Sequence, residues 1–368
     1  MRPPSTPCRS STRRSNCPAL PGAVRVADRP DHAWRGWMDL NRFEWLALRR
    51  EEAVDPERGI VDAHHHLWDW RIGTYLAPQL LEDLTGSHNV AKTVFAECMS
   101  HYDTDCAEHM KPVGETGFVA GEADALDAAG GPTIAAIVSH ADLMLGDAVE
   151  EVLTAHEAAG GGRFRGIRHA TAWDASDEIH NSHCNPFEHM MDTDQFRAGA
   201  RRLAVMGFSL DAWMFHPQLP DLARLARAVP ELSIVLDHLG GPLGVGPYGR
   251  DRERADWQAS MRLVAACGNV ALKVGGIGMD MYHGMGWATL DAPPGSEEVA
   301  AHWGDDVRFC IDTFGPDRCM FESNFPVDRQ TLPYPVLWNA LQIMAVGYSD
   351  AEQADLFSGT ASRIYRLS

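Results

Sequence analysis

The sequence predicts a single (β/α)8 barrel of the TIM type, in the α/β class, and three observations carry that prediction. Eight short apolar or β-branched runs alternate with helix-like stretches from residue 60 onward, the pattern of repeated βα units. Nearly every run ends in a polar or ionisable residue, as expected where chemistry sits at the carboxyl ends of barrel strands. At 368 residues and 45% hydrophobic content, the chain is long enough to enclose one large core. A doubly wound open sheet shows the same alternation, and periodicity alone does not separate the two.

Taken in order, the predicted strands cover residues 60–63, 90–96, 134–138, 164–167, 208–212, 233–236, 269–274 and 319–321. Helix-like segments lie between them, among them 148–159, 194–205, 219–228, 256–266 and 305–314, where apolar residues recur every three or four positions. Each strand, read to its end, meets a polar group. These are His64 and His66, then Glu97, His140, Arg168 with His169, Asp211, Asp237 with His238, Lys273, and Glu322 with Asn324. A single polar residue at a strand end is ordinarily satisfied by backbone or water. A full ring is different, because buried charges are costly unless paired or used.

The bulk composition excludes several classes of partner. A formal charge of -19 repels nucleic acid and anionic lipid, and no basic cluster in the body of the chain offsets it. No apolar run approaches the roughly 20 residues that span a bilayer. The eight cysteines, Cys8, Cys17, Cys98, Cys106, Cys184, Cys267, Cys310 and Cys319, form no C-x-x-C pair, which points to reduced thiols in the cytoplasm. Residues 1–37 are rich in Arg, Pro and Ser and read as a disordered basic tail, with Met38 as the natural start and the barrel domain running from 38 to 368. A small-molecule substrate is the expected partner, and a homo-oligomer is compatible with the sequence.

The run Ile60-Val-Asp-Ala-His-His-His-Leu-Trp-Asp69 is the most informative stretch. In an extended strand alternate residues share a face, so His64 and His66 point one way and His65 the other. Two neutral imidazoles on one face can hold a divalent metal or bind a polarised carbonyl oxygen.

The motifs Val61-Asp-Ala-His-His-His-Leu-Trp-Asp, Phe164-Arg-Gly-Ile-Arg-His, Ile234-Val-Leu-Asp-His-Leu-Gly-Gly-Pro, Val270-Ala-Leu-Lys-Val-Gly-Gly and Cys319-Met-Phe-Glu-Ser-Asn-Phe-Pro-Val-Asp fall in order at strand ends. With them the sequence resembles the amidohydrolase-related group of the metal-dependent hydrolase superfamily, in particular its branch of sugar-acid lactonases and a pyrone-dicarboxylate lactonase. The resemblance implies that His64 and His66 are the paired ligands of the first strand and His238 the histidine of the sixth. The chain departs from the pattern on the eighth strand, where relatives carry Asp in a Ser-Asp-x-Pro context and this chain reads Ser323-Asn324-Phe325-Pro326. It departs again on the fifth, where Asp211 is followed by Trp213 and the next histidine is His216.

An amide cannot accept a proton near neutral pH, so a base must come from elsewhere. Glu322 shares a face with Asn324 and is one candidate; His238, oriented by Asp237, is the other. Imidazoles and an amide alone leave a dication without carboxylate charge, so a zinc site and a metal-free cage of imidazole and arginine both stand open. Arg168 and Lys273 are the natural holders of a substrate carboxylate, with His169, His216 and Asn324 as further substrate contacts. The alternative roles pair Arg168 with Glu97 and Glu322 with Lys273.

Three other signals carry less. Gly244-Val-Gly246-Pro-Tyr-Gly249 fits G-x-G-x-x-G but comes late after its strand and contains Pro, so no nucleotide cofactor is expected. The stretch 279–287 reads as packing of a long seventh loop, or as a lid. The segment 180–189, with its histidines and Cys184, has irregular offsets and reads as a loop. The function expected is hydrolysis of a lactone of a small polar or carboxylated acid, with non-oxidative decarboxylation and a catalytically degenerate, ligand-binding barrel as alternatives.

Overall fold

The computed structural model describes residues 40, 42–70, 73–282 and 285–367, so the tail and start expected over residues 1–38 lie outside the described residues. Eight strands form one sheet in sequence order: β1 Gly59–His65, β2 Asn89–Ala96, β3 Thr133–Ser139, β4 Phe164–Arg168, β5 Ser209–Ala212, β6 Ile234–Leu236, β7 Val270–Val274 and β8 Cys319–Phe321. Every neighbouring pair is parallel. The sheet closes where the chain after β8 meets β1, through Asn324 N donating to His64 O at 2.8 Å and His66 N donating to Phe325 O at 2.7 Å. The result is the predicted barrel rather than the open sheet. A short ribbon, Trp68–Trp70 against Gly73–Tyr75, follows β1, which the sequence pattern does not signal.

The barrel interior is filled by Val61, Ala63, Val94, Ala136, Val138, Val235, Ala271 and Met320, with Tyr365 from the C-terminal segment packed against them. On four strands the residue two positions beyond the last of these inward apolar side chains is polar. Val138 leads to His140, Val235 to Asp237, Ala271 to Lys273 and Met320 to Glu322. On β1 the register with β2 shifts between Asp62 and His65. That irregularity brings His64 and His66 inward beyond Ala63, while His65 Nε2 meets Thr93 Oγ1 at 2.9 Å.

Helices Val149–Ala159, Asp194–Val205 and Leu219–Ala228 agree with the sequence reading to within a residue. Two others start earlier than expected, at Arg250 and Ser296. Their first turns are charged rather than apolar: Arg250 Nη2 pairs with Asp306 Oδ2 at 3.0 Å, and Glu298 Oε2 accepts from Gly295 N at 2.6 Å as a cap. Periodicity cannot register a turn that is held by ion pairs and a cap. The glycines at 244–249 lie between β6 and the helix that begins at Arg250, not in a tight strand-to-helix turn. Met279 and Tyr282 of the seventh loop are buried, and Tyr282 Oη accepts from Trp213 Nε1 at 2.9 Å, which makes that loop packing material. No described helix is long and apolar enough to cross a membrane, and the six described cysteines are free.

Candidate active site

The carboxyl ends of the strands bring His64, His66, Arg168, Asp237, His238, Lys273, Glu322 and Asn324 into one buried group. His64 is its centre. Its ring lies 4.8 Å from that of His66 and 4.7 Å from that of His238, and its Nε2 is 3.3 Å from Arg168 Nη1. Its Nδ1 is 3.1 Å from both Glu322 Oε2 and Lys273 Nζ.

The tautomers follow from the partners. His66 Nδ1 lies 2.8 Å from the Ala96 carbonyl, which can only accept, so Nδ1 carries the proton and Nε2 the lone pair. His238 Nδ1 donates to Glu322 Oε1 at 2.7 Å, leaving its Nε2 as a lone pair as well. His64 meets a donor on each side, Arg168 Nη1 at its Nε2 and Lys273 Nζ at its Nδ1, with Glu322 Oε2 also 3.1 Å from Nδ1. Asn324 Nδ2 donates to Asp328 Oδ1 at 2.7 Å, which fixes its Oδ1 3.2 Å from His66 Nε2.

His64 Nε2 and His66 Nε2 are 3.2 Å apart. Donors that share one tetrahedral zinc stand about 3.3 Å apart, given Zn–N bonds near 2.05 Å. Both oxygens of buried Asp237 lack hydrogen bonds, and one donor atom each from His64, Asp237 and His238 lies within 4.8 Å of the others. Asp237 therefore supplies the carboxylate charge that imidazoles and an amide alone lack. The donor set fits a divalent cation, with each imidazole oriented from behind through Nδ1.

The division of labour between the two carboxylates differs from the sequence reading, in which Asp237 orients His238 and Glu322 faces water. The structure gives the orienting position to Glu322, because its two oxygens face Nδ1 of His238 and of His64. Burial alone would raise its carboxyl, but the two histidines outweigh burial and hold it down to about 2. Burial, followed by the nearby Arg168 charge, pushes His66 down to about 3.

The cations are also more fully engaged by protein partners than the sequence suggests. Arg168 Nε donates to Glu97 Oε1 at 2.9 Å and its Nη2 to the Glu97 carbonyl, so Nη1 alone points into the site and the fork is not available to a carboxylate. Lys273 is fully buried, donates to Asp211 Oδ2 at 2.6 Å and lies 3.3 Å from Asp237 Oδ1. It pairs with the aspartates rather than with Glu322, and holds no free donor face toward a substrate.

Two expected contacts fall outside the group. His216 Nδ1 accepts from Leu243 N at 3.2 Å and packs on Tyr248, anchoring the fifth and sixth loops to each other. His169 Nδ1 accepts from Leu143 N at 3.1 Å, and its ring lies against His140. Sequence reasoning missed Asp328 behind Asn324, and Tyr365, whose hydroxyl donates to Asp211 Oδ2 at 2.6 Å. It also gave no role to Gly276, where a Cβ would sit 2.8 Å from the His238 ring. The Gly-Gly motif after β7 was the available signal for the last.

The chain is similar to several known proteins. An uncharacterised protein of Sinorhizobium fredii is 31% identical over 329 residues, covering 84% of this chain and 98% of its own length. An L-fucono-1,5-lactonase of Burkholderia multivorans is 26% identical over 322 residues, covering 83% of this chain and 96% of its own. The crystal structure of an amidohydrolase from Burkholderia multivorans with bound zinc superposes with a TM-score of 0.65 at 25% identity, over 84% of this chain and 99% of that one. The Amidohydrolase family matches residues 61–367, from the first barrel strand to the C-terminal segment that closes the barrel floor, and the chain belongs to that family.

Proposed function

We propose that this enzyme hydrolyses a lactone of a small polar or carboxylated acid. The observation that carries the reading is the convergence of three buried imidazole rings, His64, His66 and His238, beside a buried aspartate whose oxygens make no hydrogen bond. The L-fucono-1,5-lactonase relative supports the lactone as substrate class.

His64, His66 and His238 would hold a divalent cation, zinc by ligand type, with Asn324 Oδ1 beside them. Bound there, zinc polarises a carbonyl and lowers the pKa of water. Asp237 is the proton acceptor in this scheme, since Glu322 is occupied behind the imidazoles and Asn324 cannot take a proton. Lys273 sets a positive charge 3.3 Å from Asp237 Oδ1, beside the group that receives the proton of the attacking water. Arg168 Nη1, 3.3 Å from His64 Nε2, would set its positive charge beside the oxygen that becomes negative when the carbonyl is attacked, and Glu97 holds the guanidinium in that pose. The ring then opens with the proton passing from Asp237 to the departing alkoxide. The reading places the reaction in the cytoplasm, in keeping with free thiols at every described cysteine.

The test is a panel of sugar-acid lactones and pyrone carboxylates followed by acid release, with carbon dioxide release from aromatic acids measured in parallel. Acid release from at least one lactone is expected, reduced about 100-fold or more in Asp237→Asn. Carbon dioxide release with no lactone turnover would establish the decarboxylase instead.

A further inference from the structure

We infer that the chain carries a second divalent-cation site, of the zinc class, built from His140, His183, Cys184 and Glu97. It lies beside the central group on the β2 to β4 side of the barrel mouth and uses none of the residues assigned to the lactone reaction as ligands or base. Glu97 follows β2, His140 follows β3, and His183 and Cys184 lie in the loop after β4.

One donor atom each from His140, His183 and Cys184 falls within 4.8 Å of the others. Cys184 Sγ is 3.8 Å from His140 Nδ1, and His183 Nε2 is 3.4 Å from Glu97 Oε2. Zn–S bonds near 2.3 Å and Zn–N or Zn–O bonds near 2.0–2.2 Å put neighbouring donors about 3.3–3.7 Å apart, close to both of these separations, so Glu97 can join the three clustered donors around one ion. Glu97 is fully buried, yet its Oε2 makes no hydrogen bond, and neither does His183 Nε2. A cation between them would satisfy both. The donor types are decisive for the class, since thiolate with imidazole selects zinc over the hard, oxygen-bound cations. Thiolate and carboxylate together also balance a dication.

His140 Nδ1 is 3.0 Å from the Arg168 carbonyl, so the ring is already steered by the strand end that carries Arg168. Glu97 joins the two sites, with Oε1 on Arg168 Nε and Oε2 toward His183. An ion here would pin the loop after β4 to the barrel and stiffen Arg168 through Glu97. Spacing could not reveal it, because His140 and Glu97 come from other strands than the loop that supplies the remaining donors.

The test uses the full chain stripped of metal by chelation and titrated with Co2+ as probe, read by metal content per chain and by the sulfur-to-cobalt charge-transfer band in the near ultraviolet. The central group contains no cysteine, so that band reports on this site alone. The parent should show the band, Cys184→Ser should lose it together with one equivalent of cobalt, and His183→Gln should weaken it. His64→Ala with His66→Ala should lose the other equivalent and keep the band. Absence of the band in the parent, or its survival in a folded Cys184→Ser protein, would overturn the proposal.

Discussion

Glu322 grips His64 and His238 at once, its Oε2 3.1 Å from one Nδ1 and its Oε1 2.7 Å from the other. A carboxylate behind two candidate ligand imidazoles holds both rings in a fixed orientation. Glu322→Gln keeps the shape but can accept at only one atom. It should weaken zinc binding about 10- to 100-fold, measured by competition with a chromogenic chelator, with activity recovering at high zinc. A variant that binds zinc normally yet has lost kcat would instead make Glu322 the base.

Gly276 has a φ of +66°, and a Cβ there would meet His238 at 2.8 Å. Gly276→Ala therefore incurs the left-handed backbone cost, about 1–2 kcal/mol, and also displaces the ring. Urea unfolding should show that loss, and lactone turnover should fall further than stability accounts for. Gly268→Ala is the control, since a Cβ there meets nothing within 4 Å.

The barrel was legible because its interior repeats one rule: an inward apolar residue, then an inward polar one two positions on. Met320 then Glu322 and Ala271 then Lys273 follow it. The same rule shows that Asp237 and Glu322 both enter the site. It cannot say which of them faces the imidazole Nδ1 atoms, because that depends on side-chain reach across strands. Lys273 and Arg168 were legible as cations, whereas their pairing was not, since Asp211 and Glu97, their partners, sit on other strands. Asp328 stayed hidden because it acts through Asn324 from the turn after β8.

Lys273 lies between Asp211 and Asp237 with no exposure. Lys273→Met leaves two aspartates buried without a counter-charge, and about 3–5 kcal/mol of stability should go. Tyr365→Phe removes only the hydroxyl that donates to Asp211 Oδ2 at 2.6 Å, for about 1–3 kcal/mol. A double-mutant cycle in urea should show the two losses to be non-additive, because both side chains serve the same carboxylate.

Asn324→Asp, which would install the acid that the family resemblance implies, sets a carboxylate where Nδ2 now lies 2.7 Å from Asp328 Oδ1. Burial already raises Asp328 to about 7. Two carboxyls at that separation must share a proton. The variant should be less stable than the parent at pH 8 and close the gap near pH 6, read as thermal midpoints across the two pH values. An equal deficit at both would show that Asp328 moves away.

Acid should weaken the fold through buried neutral histidines. Burial pushes His216 and His65 each down to about 4, whereas an unfolded chain protonates imidazole near 6.5. Below about pH 6.5 the unfolded state therefore binds protons that the folded state refuses, so stability is fully present above that pH and falls as pH drops toward 4. Each such histidine adds a slope of at most about 1.4 kcal/mol per pH unit in that window. His216→Asn keeps an acceptor for Leu243 N and removes the titration. Its urea-derived stability should decline less steeply between pH 6.5 and 4.5 than the parent's; an identical slope would mean that His216 is charged in the folded protein.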